Sequence, residues 1–178
     1  MSWWDKNKQK KEKKQHQEQQ VKMLQNIATL SRFAKAGLLF IDMKERKVVI
    51  STTLSSLFLG DKTKWTNFLG NVQMWFVYKV SQLNWHQLFL KEELKAVREV
   101  KKKYPFLTKP QEVEIRHQAR AAIDVEALEP PKIEPFDFIL STDISNGKEP
   151  EIFAVGRYEN GEFDMVTFDE VKANQDNN

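Results

Sequence analysis

Apolar residues settle into a period only from Val21 onward. After Trp3 and Trp4, residues up to 20 are almost wholly Lys, Gln, Glu and Asn. These include good helix formers, but no apolar face is there to hold a helix down, so the stretch alone is expected to be frayed or partly helical. Met23, Ile27, Leu30 and Ala34 then recur at i, i+4, i+7 and i+11, with Leu24, Ala28 and Ser31 beside them. That is an amphipathic helical stripe, and Gly37 is its natural stop. A helix from Asp5 to Ala36 would be about 48 Å long at 1.5 Å per residue.

The pattern then shortens. Leu38 to Ile41 and Val48 to Ile50 are apolar runs around the polar DMKERK, which reads as a β-hairpin. TTLSSLFLGDKTK reads as a short helical turn ending near Gly60. Trp65, Phe68, Leu69, Val72, Trp75 and Phe76 follow at helical spacing. Val72, Met74, Phe76, Tyr78 and Val80 also alternate, so the end of this stretch fits a strand too; helix is the expectation. Asn84 is placed to cap a further helix through WHQLFLKEELKAVREVKKKY, ended by Pro105. Its last turn carries Lys101, Lys102 and Lys103, where the helix dipole favours cations. Thr108 caps another helix, from about Pro110 to Ile123, with a thin stripe of Ile115, Ala119, Ala122 and Ile123.

EALEPPKIEP is an acidic, proline-rich connector and FDFILS a strand. Asn160-Gly161 is the strongest short-range hairpin signal in the chain. Its register sets Tyr158 opposite Phe163 and Arg157 opposite Asp164, then Val155 opposite Val166 and Phe153 opposite Phe168. FDEVK reads as a closing helical turn and ANQDNN as a frayed end. The expected fold is α+β: an antiparallel sheet of two hairpins plus one strand, packed with three to four helices and preceded by an extended N-terminal helix. The domains expected are a basic flexible or helical arm over 1–20, a single α+β domain over 21–172, and a disordered tail over 173–178.

Composition fits that outline. The chain has 178 residues, 40% hydrophobic and 30% charged, enough for one core plus an appendage. Cysteine is absent, which excludes disulfides, thiolate metal sites and thiol nucleophiles. No stretch approaches the roughly 18 apolar residues that span a bilayer. The first 20 residues lack the apolar core of a secretory signal. The expected location is therefore intracellular, in the cytoplasm or assembled into a particle. Charge is laid out unevenly. Residues 1–36 hold nine Lys/Arg against three Asp/Glu, and residues 124–178 hold four against fourteen. Such asymmetry bears on partners, not on fold.

Catalytic signatures are missing. His16, His86 and His117 fall in three different expected elements without paired-histidine spacing, and Arg116 and Arg120 beside His117 disfavour a bound cation. Gly60 and Gly70 bracket no phosphate loop, and no GxGxxG or GxSxG occurs. STDISNGKEPE has its glycine one place early for a calcium loop and no acid at the twelfth position. The C-terminal carboxylates read as a solvated face. Trp65, Trp75 and Trp85 recur among aliphatics at core spacing, which favours packing over base stacking. A non-enzymatic protein with no metal, cofactor or small-molecule substrate is the expectation.

Trp3 and Trp4 have no expected core to enter. Aromatics of this kind fill partner pockets and carry much interface energy. The candidate partner-binding residues are Trp3, Trp4, Met23, Ile27 and Leu30, serving a protein partner or a homo-oligomer. This points to an assembly or adaptor protein docking into a larger complex; a small cysteine-free chain rich in Lys, Gln and Asn suits a phage virion or head-assembly component. The alternative is a nucleic-acid-binding accessory protein using Lys6, Lys8, Lys10, Lys11, Lys13 and Lys14 with the basic helices of residues 91–120, namely Lys101, Lys102, Lys103, Arg116 and Arg120. Against it, no helix-turn-helix, zinc or RNA-recognition pattern is visible, and the acidic third repels phosphate unless turned away. An anionic membrane surface is a third partner class, but the leader lacks a sustained amphipathic face.

Overall fold

A computed structural model describes residues 2–142 and 149–176. Most of the polar turn read at Ser141 to Glu151 lies outside the described residues. Helix α1 spans Trp3–Lys35 without a break. Its first turn is closed reciprocally: Asp5 N–H donates to Ser2 Oγ at 3.2 Å, and Asp5 Oδ2 accepts from the Ser2 N–H at 3.2 Å and its hydroxyl at 2.7 Å. Its end is a Schellman motif, with Gly37 at φ 78°. There Leu38 N–H donates to Phe33 C=O at 3.0 Å and Gly37 N–H to Ala34 C=O at 3.1 Å. The basic stretch expected to fray in isolation is thus helical here. Once the packed end has nucleated the helix, each further residue adds a hydrogen bond for one more residue ordered.

Five strands form one sheet in the order β1 (Leu39–Asp42), β2 (Lys47–Ser51), β3 (Phe136–Ser141), β4 (Ile152–Glu159), β5 (Glu162–Met165). In the β1–β2 hairpin Asp42 Oδ1 accepts from the N–H groups of Lys44 and Glu45 at 3.0 and 2.9 Å, and Arg46 closes the turn at φ 53°. The β4–β5 turn has Asn160 at φ 51° and Gly161 at φ 80°, the two positive values a type I′ turn needs. Tyr158 faces Phe163 and Arg157 faces Asp164, as the sequence indicates.

Two details of the sheet differ from the sequence reading. The β2–β3 pairing is parallel, so the sheet is mixed. These strands are joined through helical segments, not a turn, and such a crossover returns the chain in the same direction. Phe153 does not meet Phe168. It faces Leu140, while β5 stops at Met165 and Phe168 opens α5 (Phe168–Asp176). Thr167 Oγ1 accepts from Glu170 N–H at 3.3 Å, so a helix start takes over where pairing would have continued.

Between β2 and β3 lie α2 (Thr52–Ser55), α3 (Lys62–Lys103), α4 (Lys109–Ala121) and a 3₁₀ turn at Val125–Ala127. Asp61 starts α3, its Oδ1 accepting from Thr63 and Lys64 N–H at 2.7 and 3.1 Å. The alternating pattern at Val72 to Val80 is helical. Asn84 does not cap a second helix but sits inside α3. No proline occurs between Lys62 and Lys103 to force the chain out of helical angles, so its side chain has no exposed helix start to serve.

The chain divides into two compact units: residues 1–77 with 134–178, and residues 78–133. In the first, Trp65, Phe76, Leu69, Val72, Val48, Ile50, Phe138 and Val155 are fully enclosed. Phe76 of α3 meets Phe136, Phe138 and Tyr158 with ring centroids 4.9, 5.2 and 5.4 Å away. In the second, α4 begins with a capping box. Gln111 N–H donates to Thr108 Oγ1 at 3.3 Å, and Thr108 N–H to Gln111 Oε1 at 2.9 Å.

Gly156 is needed for a close approach. A Cβ there would lie 2.5 Å from the end of the Phe163 ring, which itself packs on Phe138 at 4.7 Å. Gly156→Ala is expected to lower stability by about 1–3 kcal/mol, the usual cost of overpacking. Chemical denaturation of G156A, F163L and the double variant checks this. If the contact is the cause, G156A costs clearly less in the F163L background.

Candidate functional site

Every residue from Trp3 to Gln25 is exposed apart from half-buried Asn7. Trp3 and Trp4 are 66% and 76% exposed and pack on each other edge to face, centroids 5.1 Å apart. Farther along, Val21, Met23 and Leu24 are also exposed. Ile27 and Leu30 are not. At 6% and 3% exposure they belong to the core of their own unit and are not open to a partner. Asn26 Nδ2 donates to Asn71 Oδ1 at 3.3 Å beside them, joining α1 to α3. The candidate partner-binding set therefore splits: Trp3, Trp4 and Met23 stand on the surface, and Ile27 and Leu30 hold the helix down.

Lys6, Lys8, Lys10, Lys11, Lys13 and Lys14 are all exposed, and none has an ion-pair partner among the described residues. At roughly 100° per residue the six fall within an arc of about 220°; Asp5 and Glu12 fall in the remaining arc, and Glu18, one turn beyond Lys14, falls within the lysine arc. By the same projection the middle of the lysine arc lies about opposite the side carrying Ile27 and Leu30. The lysines thus face away from the side by which α1 packs.

The basic residues of the second unit are differently placed. Glu93 on α3 is only 6% exposed. Arg116 of α4 donates to its Oε2 from Nε at 3.2 Å and from Nη2 at 3.0 Å, and Arg120 Nη1 lies 3.5 Å from its Oε1. The Arg120 guanidinium also covers the Phe89 ring at 5.2 Å, and Phe89 packs on Trp85 at 5.6 Å. Lys101 pairs with Glu112 at 2.7 Å and Lys102 with Glu99 at 3.2 Å. Of the five basic residues singled out in this unit, Lys103 alone has no ion pair among the described residues. Arg116 and Arg120 act first as clamps. A buried carboxylate needs paired, hydrogen-bonded countercharge, and they supply it.

His86 and His117, distant in sequence, line one cavity of about 270 Å³ with Glu93, Val113, Arg116 and Arg120. Among the described residues no group of three or more His, Asp or Glu is arranged to hold a metal, and no helix is long and apolar enough to cross a membrane. Sequence reasoning missed Glu93, although it sits in the Leu90/Leu94/Val97 stripe at core spacing, which is itself the signal of a buried acid. It also missed Tyr104 and Phe106, exposed at 67% and 96% around Pro105. The chain matches no protein-family model, and comparison with curated proteins and with solved structures finds no match.

Two outcomes are expected. Arg116→Met leaves Glu93 with one distant partner and lowers stability by about 2–4 kcal/mol, near the cost of orphaning a buried charge. Glu93→Met costs less, because the arginines it releases reach water; urea unfolding of both variants tests the order. The second concerns pH. The Ser2 hydroxyl and then the Ser2 N–H, both donating to Asp5, hold its carboxyl below the ordinary aspartate value. A lowered value means the cap contributes fully above the ordinary value and is lost as pH falls through the lowered one. Carboxyl-carbon NMR of Asp5 is expected to titrate low, and to move back toward the ordinary value in Ser2→Ala, which removes the hydroxyl donor and keeps the backbone one.

Proposed function

We propose that the protein is a non-enzymatic assembly or adaptor protein that docks into a larger complex through helix α1, with Trp3 and Trp4 as its anchor. In its finer form this places it inside a cell or built into a particle such as a phage head. The observation that carries the reading is the pair of exposed indoles, packed edge to face, on a capped helical turn. Each ring offers about 150–250 Å² to bury, and the capping box holds their directions before any partner arrives, which reduces the ordering cost of binding. Exposed Val21, Met23 and Leu24 offer a second apolar contact along the same helix. With Ile27 and Leu30 enclosed, self-association through the whole stripe would need α1 to leave its core, so a different protein is the better-supported partner.

The test is sizing of the tagged chain in extract of the cells that make it. The native chain is expected to elute far above its own 21.0 kDa. Trp3→Ala with Trp4→Ala is expected to elute near that mass, with unchanged circular dichroism. Co-elution of native and variant chains would sink the anchor.

A further inference from the structure

The lysine arc of α1 calls for a partner that the two tryptophans do not explain. Residues 5–20 contain no Ala, Val, Ile, Leu, Met, Phe, Tyr or Trp. A protein groove or a lipid interface is filled by apolar anchors, and this length of helix has none to give. What it has is six exposed lysines over residues 6–14, unpaired among the described residues, with Asp5 and Glu12 on the other side; the third acid, Glu18, follows one turn beyond Lys14. We infer that this face of α1 binds the phosphate backbone of duplex DNA through Lys6, Lys8, Lys10, Lys11, Lys13 and Lys14, without reading base sequence.

Magnitudes favour DNA over an acidic protein. An exposed lysine–carboxylate pair contributes about 0–1 kcal/mol and often nothing measurable. The same lysine on a phosphate backbone also releases a condensed counterion, and contributions from several lysines sum to a large, salt-dependent affinity. Shape agrees. An α-helix with side chains is about 10–12 Å across, and the B-DNA major groove is about 12 Å wide. The lysines occupy both flanks of the helix: Lys6, Lys10, Lys13 and Lys14 on one and Lys8 and Lys11 on the other. Both walls of a groove come within their reach. The deep, narrow major groove of duplex RNA does not admit a helix in this way. Asn7 and Gln17 fall on the same arc and carry donors and acceptors without opposing charge. Asp5 and Glu12 follow the side that packs and stay clear of the phosphates, whereas Glu18 lies on the lysine arc one turn beyond Lys14, so the phosphate contacts are confined to the stretch from Lys6 to Lys14. The second unit is not needed, since four of its five candidate cations are already held by carboxylates.

The experiment is fluorescence anisotropy of a labelled 30-base-pair duplex with the full chain, across salt from about 50 to 300 mM. Six phosphate contacts at about 0.9 each give a slope of log K on log[salt] near −5. K6Q/K10Q/K13Q/K14Q keeps good helix formers in place and is expected to flatten that slope by three to four, with unchanged circular dichroism. K101Q/K102Q/K103Q is expected to leave it unchanged. W3A/W4A is also expected to leave it unchanged, so loss of the protein anchor and loss of DNA binding read out separately. Absence of binding at the lowest salt overturns the inference. So does an undiminished slope in the arm variant, or binding to phosphatidylserine vesicles with none to the duplex.

Discussion

Phe76 connects helix α3 to the middle of the sheet, and the first unit depends on that contact. Its ring touches Phe136 and Phe138 of β3 and Tyr158 of β4. Phe138 passes the contact on to Phe163 of β5, whose ring lies over Gly156. One run of aromatic contacts thus reaches from the helix to the last strand. It matters because β2 and β3 pair Val48 with Phe138, partners some ninety residues apart in the chain. Closing so long a loop carries an entropic cost that only non-local packing repays. Strand β3 accordingly has Phe136, Phe138, Ile139 and Leu140 all buried, the habit of a strand covered on both faces.

That packed unit is also what gives α1 its definition. A helix exposed from Trp3 to Gln25 but for Asn7, and with no apolar face over residues 5–20, is marginal alone. Here its far end is tied by Ile27, Leu30 and the Asn26–Asn71 bond, and closed by the turn at Gly37. Its near end is closed by Ser2 and Asp5. Between those fixed ends each lysine keeps an angular position, and the separation of the six lysines from Asp5 and Glu12 follows from it. A flexible arm of the same composition would present the same charge without a side.

The second unit shows why a count of basic residues is a poor guide to a binding surface. Its Lys and Arg look as available as those of the arm when read along the chain. In space, Glu93, Glu99 and Glu112 hold four of them. Glu93 in particular requires its arginines, because burial of a carboxylate without countercharge is far costlier than the exposed pairs that surround it.

Local signals were legible in the sequence wherever the physics is local. Gly37 and Asn160-Gly161 stand at positive φ because few other residues tolerate it, and Thr108 with Gln111 makes a box that spans one turn. The stripe from Trp65 to Phe76 is helical because six matches at helical spacing outweigh a short alternation. What escaped depends on neighbours remote in the chain. Asn84 has the chemistry of a cap, yet nothing interrupts α3 there. Phe168 continues the hairpin pattern, yet Thr167 and Glu170 start a helix first. Ile27 and Leu30 were visible as an apolar stripe, but whether such a stripe faces a partner or its own core is decided by what else folds beside it. The sequence by itself determined the arm's composition, its turns and its helical periods, since these rest on residues a few positions apart. The parallel β2–β3 pairing, the clamp on Glu93 and the outward turn of the lysines were decided by tertiary structure, because each joins or orients groups that only the folded chain brings into contact.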